Sequence, residues 1–196
     1  SARAEAESRT EVAEAVTGFL NRLFESADPG SGLGADLTVR SLLDDAVRTL
    51  DRDPPDRPEV ELALRELIGN TWRNLGEYSR AKQQLNAALA LARPESGDSF
   101  ADEALLQFQL ASLALDQGEV EAARGALHAL QARTDLSASL QLRGRAQLAH
   151  ALVVSADPAA AAQALAALLP EAEQAPDDGY GKLAWSVRQN LAIAQI

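Results

Sequence analysis

The chain is 196 residues long, 46% apolar and only 4% aromatic, enough to bury a sizeable core in one domain or one continuous stack of elements. With 29 acidic against 18 basic residues it carries a formal charge of −11, which repels phosphate backbones and anionic lipid and argues against nucleic acid as a partner. No cysteine is present, so disulfides, thiolate metal sites and cysteine nucleophiles are excluded.

No apolar run approaches the roughly 20 residues of a membrane span, and the polar start from Ser1 to Arg9 is unlike a signal peptide. Direct membrane insertion is therefore not expected. The opening on Ser1 and Ala2 and the stop at Ile196 inside an apolar helical pattern lead us to expect a piece excised from a longer protein.

In chain order, the first predicted helix covers residues 10–26, where Val12, Val16, Phe19, Leu20, Leu23 and Phe24 recur every three or four residues. Asp28, Pro29 and the glycines at 30, 32 and 34 break it. Asp36 or Thr38 can cap a second helix with Leu42, Leu43, Ala46, Val47 and Leu50 on one side, and the prolines between Asp53 and Pro58 stop it. Residues 1–58 thus read as an N-terminal helical hairpin.

Residues 59–196 read as about three copies of one unit and the first helix of a fourth. Gly76, Glu77, Ala81 and Leu85 realign with Gly118, Glu119, Ala123 and Leu127, and again with Ala156, Asp157, Ala161 and Leu165. Seven residues before each turn stands a small residue after a large aliphatic one: Ile68 and Gly69, Leu110 and Ala111, Leu148 and Ala149. Leu191 and Ala192 begin the fourth copy. Small residues on both helices let two antiparallel backbones approach, and Gly76 and Gly118 permit the left-handed backbone that ends the first helix. Loops are expected at residues 94–99, 135–139 and 170–181. Nothing alternates as a half-buried strand would, so the chain is expected to be all-α.

This order of Gly69, Trp72, Gly76, Tyr78, Ala81, Leu85 and Ala88, followed by Pro94, resembles the tetratricopeptide repeat. The successive intervals, Gly69 to Ala111, Ala111 to Ala149 and Ala149 to Ala192, all exceed that family's consensus of about 34 residues. The resemblance implies a solenoid of helical hairpins in a right-handed superhelix, with a concave groove lined by the first helix of each pair. It implies that the groove is formed by Glu66, Asn70, Arg73 and Asn74, by Phe108, Gln109 and Ser112, by Arg143, Gln147 and His150, and by Gln189 and Asn190. Amides such as Asn70, Asn74, Gln109, Gln147 and Asn190 can pair with the backbone of an extended peptide, and Arg73 or Arg143 can take a carboxylate. Asn70, Gln109 and Arg143 match places used by carboxylate-clamping repeats, whereas Glu66 stands where those repeats carry a lysine.

A narrower resemblance covers residues 10–95. Phe19, Leu20, Asn21, Arg22, Leu23 and Phe24 before Asp28 and Pro29, then Leu37 through Asp44, then Arg57 to Val60 leading to Leu67 through Trp72, resemble the segment after the membrane helix in bacterial membrane-spanning serine/threonine kinases with repeat tails. That likeness implies an extracytoplasmic sensor or docking region whose partner is a protein or peptide. Winged-helix transcription regulators carry similar tails, so a cytoplasmic scaffold stays open as the alternative, as does contact with a second copy.

No Gly-rich phosphate loop, His-Arg-Asp loop or Asp-Phe-Gly is present, so no enzymatic role and no cofactor are expected of these residues. His128 and His150 lack metal-ligand partners at helical spacing and read as surface or groove-wall residues. Asp44 with Asp45 and Asp177 with Asp178 are sequence neighbours that do not share a helical face and read as solvated. Ser155 and Ser186 lack a base and its orienting group.

Overall fold

The computed structural model describes residues 2–26, 38–92, 99–155, 157–174 and 183–196, and among them every regular element is an α-helix. The breakers at residues 28–34, the loop at 94–98, Ala156 and the Asp177–Asp178 pair lie outside the described residues. The chain divides into two compact units, Ser1–Ala92 and Arg93–Ile196. The division falls one hairpin beyond residue 58 because the N-terminal helices pack on the hairpin that follows them.

The first unit contains α1 (Ala2–Ser26), α2 (Val39–Arg52), α3 (Pro58–Asn74) and α4 (Tyr78–Leu91). The first helix begins well before Thr10. Thr38 caps α2, its hydroxyl accepting from the Ser41 N–H at 3.1 Å while the Thr38 N–H donates to Ser41 Oγ at 3.0 Å. The buried face of α2 is Leu43, Ala46 and Leu50, while Leu42 and Val47 are half-buried. Phe19 of α1 is buried, and α1 packs on both α2 and α3. Pro58 opens α3, where its missing N–H costs nothing.

One buried cation ties three helices of this unit together. Arg65 donates from Nε to Glu61 at 2.7 Å, from Nη1 to the buried side-chain Oε1 of Gln84 at 3.1 Å, and from Nη2 to Asp51 at 3.0 Å. These partners come from α3, α4 and α2.

The second unit contains α5 (Ser99–Asp116), α6 (Val120–Gln131), α7 (Ala138–Val154), α8 (Pro158–Gln174) and α9 (Leu183–Ala194). Each helix packs on the next in sequence, and α7 also packs on α5 and α9. Ser137 caps α7, and Asp157 caps α8 by accepting from the Ala160 N–H at 3.1 Å. The expected break at Pro170 does not occur, because α8 runs through it to Gln174. Pro170 and Ala166, whose carbonyl loses its helical partner, both face solvent, and Ala172 just beyond the proline is buried in the cluster that holds Leu165 and Leu168.

The three sequence-matched turns share one hydrogen-bond geometry. Glu77 donates to the Trp72 carbonyl at 2.9 Å, Glu119 to Ala114 at 2.8 Å and Asp157 to Leu152 at 3.0 Å. The next helix then starts in the same way each time, with Ala81, Ala123 and Ala161 donating to those three residues at 3.0 Å. Gly76 and Gly118 both adopt φ +76°, as the turn requires. The small residues Gly69, Ala81, Ala111, Ala123, Ala149 and Ala161 are all buried. At Gly69 an added Cβ would meet Leu85 Cγ at 2.9 Å, so α3 and α4 approach as closely as their side chains allow.

Candidate functional site

Two faces can be traced along α5, α7 and α9 by counting from Ala111, Ala149 and Ala192. One face holds that small residue and the residue three before it. On α5 it carries Ala104, Phe108 and Ala111, which pack with Leu127 and Leu130 of α6. On α7 it carries Leu142, Ala146 and Ala149, which pack with Leu165 and Leu168 of α8.

Phe108 is therefore a core residue. It is fully buried under α6, so it cannot line an open groove, and its position explains why. A residue three before the small one points at the following helix. Gln189 has the same register on α9 and lies on that face too, apart from Asn190, although it is exposed.

A second face holds the residue two before the small one and the residue just after it. Gln109, Gln147 and Asn190 take the first place on α5, α7 and α9, and all three are half-buried. Ser112 and His150, also half-buried, take the second place, where α9 has the exposed Ile193. These positions share one register on three helices, of which α5 and α9 both pack on α7.

Arg143, Gln147 and His150 share one stripe of α7, at i, i+4 and i+7. The Arg143 Nε, Gln147 Oε1 and His150 Nδ1 atoms are shielded from solvent and make no hydrogen bond within the described residues. Arg143 and His150 are engaged by neighbours as residues. Gln147 is different in that its carboxamide oxygen is an acceptor held out of water with its capacity unused, which costs free energy unless something else donates to it.

In the first unit, Glu66, Asn70 and Arg73 are half-buried on α3 and each is engaged by a neighbour, while Asn74 is exposed. That unit also has a cleft of about 730 Å³ between α1, the Asp53-to-Arg57 turn and α3. Phe19, Val60 and Leu64 give it an apolar floor, and Glu14, Arg22 and Asp53 stand at its walls. No sequence spacing pointed to it, because its walls come from segments far apart in the chain. The Arg57 guanidinium at its rim is paired with Glu11 at 2.8 Å.

The chain matches no protein-family model and no curated protein sequence.

No group of His, Cys, Asp or Glu able to hold a metal occurs among the described residues, and none of the described helices is long and apolar enough to cross a membrane. His128 is exposed, Asp44 pairs with Arg80 at 2.6 Å, and Asp45 pairs with Arg48. Sequence reasoning missed Trp185, which is 64% exposed on α9. The available signal was that it occupies the register of buried Leu142 on a helix with no described successor.

Proposed function

We propose that the chain is a non-catalytic binding module of tetratricopeptide-type hairpins, wound as a right-handed superhelix, that holds an extended segment of another protein along the α5, α7 and α9 row. The observation that carries this reading is the shared register of the half-buried amides Gln109, Gln147 and Asn190, in which the Gln147 carboxamide has an oxygen without a donor and must rotate outward to meet a peptide N–H. A peptide backbone supplies alternating N–H and C=O groups, which suits carboxamides because each can donate and accept. Binding of this kind tolerates many sequences. Arg143, on the same stripe, adds a charge-assisted contact to an acidic side chain or C-terminus worth about 1.5 to 3 kcal/mol.

The matching turns and buried small residues support the repeat-like build. The likeness of residues 10–95 to the tails of bacterial membrane-spanning serine/threonine kinases supports a place outside the membrane, as the sensor or docking region of such a kinase. A 20-residue apolar span upstream in the complete gene would fit that placement, and a winged-helix domain would replace it with a cytoplasmic regulator.

The binding reading is tested with an immobilised peptide library followed by calorimetry on wild type, Gln147→Ala and Arg143→Ala. Selected peptides should bind wild type and lose about tenfold or more in affinity with either change. Peptides that bind all three proteins equally would sink the groove assignment.

A further inference from the structure

Three arginines of the α3–α4 hairpin each hold one partner inside the hairpin and another on the helices that precede it. Arg57 lies 3.7 Å from Glu59 and 2.8 Å from Glu11 of α1. Arg65 donates to Glu61 and Gln84 within the hairpin, and at 3.0 Å to Asp51 of α2. Arg80 stacks on Trp72, 4.6 Å from the ring centroid, and bonds Asp44 of α2 at 2.6 Å. A fourth bridge runs the other way, from Arg40 of α2 to Glu77 at 3.1 Å.

The partners on the earlier helices are carboxylates open to water. The Glu11, Asp44 and Asp51 side chains are 64%, 42% and 57% exposed, so water can solvate them when the pairs part. Arg65 is buried, and stranding a buried cation would be costly. Loss of Asp51 does not strand it, because Glu61 and the Gln84 oxygen stay with it.

Apolar burial is divided unevenly as well. Among the described side chains, α1 buries only Phe19, and α2 only Leu43, Ala46 and Leu50. The hairpin has its own crossing, where Gly69 meets Ala81 and Leu85, and it buries Ile68, Trp72 and Ala88 besides.

We propose that α1 and α2 form a releasable cover on the α3–α4 hairpin, one that opens as a unit while the hairpin keeps its fold. Opening breaks four exposed ion pairs, each worth little in water, and withdraws four buried side chains. Every arginine left on the hairpin keeps a partner. A segment held by few buried apolar groups and by solvent-exposed polar contacts opens at a lower free energy than the whole unit. Opening uncovers Val60 and Leu64 of α3, which are buried and line the same cleft as Phe19. This apolar face of α3 is thus available only when the cover is away. The device lies in the first unit and does not depend on the amides of α5, α7 and α9.

Native-state hydrogen exchange of the 196-residue chain in low urea, read by mass spectrometry, tests the proposal. The amides of α1 and α2 should exchange through one shared opening, at urea concentrations where α3 and α4 are still protected. Glu11→Gln, Asp44→Asn and Asp51→Asn together should speed exchange in α1 and α2 about tenfold and leave α3 and α4 unchanged. Phe19→Ala should speed it by about a hundredfold, again in α1 and α2 alone.

The wild-type measurement is decisive even where a variant fails to fold. A single opening common to all four helices would overturn the proposal, as would either variant accelerating α3 and α4 as much as α1 and α2. Opening of α1 by itself, with α2 exchanging alongside the hairpin, would overturn it too, since the cover would not move as a unit.

Discussion

Gly69 and Gly125 are both helical glycines, yet the space around them sends the same substitution in opposite directions. Alanine at either position gains helix propensity, worth about 0.5 to 1 kcal/mol. At Gly125 nothing lies within reach of the new methyl group, so Gly125→Ala should raise stability by about that amount in urea unfolding. At Gly69 the methyl meets Leu85 Cγ at 2.9 Å and Cδ2 at 3.0 Å, and Leu85 is fully buried with nowhere to go. Overpacking of about 1 to 3 kcal/mol should outweigh the propensity gain, and Gly69→Ala should lower the urea midpoint. An unchanged midpoint would mean that α3 and α4 are less closely apposed than Gly69 implies. Arg65→Met removes a cation whose three partners include the buried Gln84 oxygen, and should cost about 1 to 3 kcal/mol, chiefly through that orphaned acceptor.

A titration effect belongs at this scale too. The Asp135 carboxyl is held below its ordinary value of 3.8, first by the Arg133 side-chain hydrogen bonds, at 3.0 and 2.6 Å. A depressed folded-state pKa contributes stability that is fully present above 3.8 and is lost as pH falls through the lowered value. Asp135→Asn should therefore flatten the acid limb of the stability profile below about pH 4 and lower neutral stability by the same amount, which is small because the carboxyl is exposed.

At the scale of the elements, the sequence was most legible where small residues and turn chemistry repeat. Gly69, Ala111, Ala149 and their partners Ala81, Ala123 and Ala161 marked the close approaches, and the turns after Trp72, Ala114 and Leu152 have matching hydrogen bonds. Those features are local, so spacing alone reveals them. Phe108 was misread because a groove position and a crossing position differ by a single step around the helix, about 100°. Only contact with α6 decides between them. Pro170 was misread because a breaker is judged by the hydrogen bond it removes, and the packing of Ala172 beyond it has no local signature. Pro170→Ala restores that bond within an exposed stretch of α8, so it should stabilise the second unit by about 1 to 3 kcal/mol. A loss of stability would show that the proline shapes α8 for its neighbours.

At the scale of the whole molecule, the same charge that argues against nucleic acid makes a prediction about salt. Many of the described arginines stand in short surface pairs, such as Arg57 with Glu11, Arg80 with Asp44, and Arg40 with Glu77 at 3.1 Å. Exposed pairs of this kind contribute about 0 to 1 kcal/mol each and lose part of that as salt rises. Against them stands a formal charge of −11, whose mutual repulsion acts over longer distances and is screened more completely once the Debye length falls to about 8 Å at 0.15 M. The long-range repulsion should be the larger loss. The urea midpoint should therefore rise between about 10 mM and 150 mM sodium chloride and then level off, because the remaining contact pairs lie inside the screening length. A midpoint that falls steadily over that range would show that the ion pairs outweigh the net repulsion, and Arg57→Gln or Arg80→Gln should then prove more damaging than a surface pair warrants.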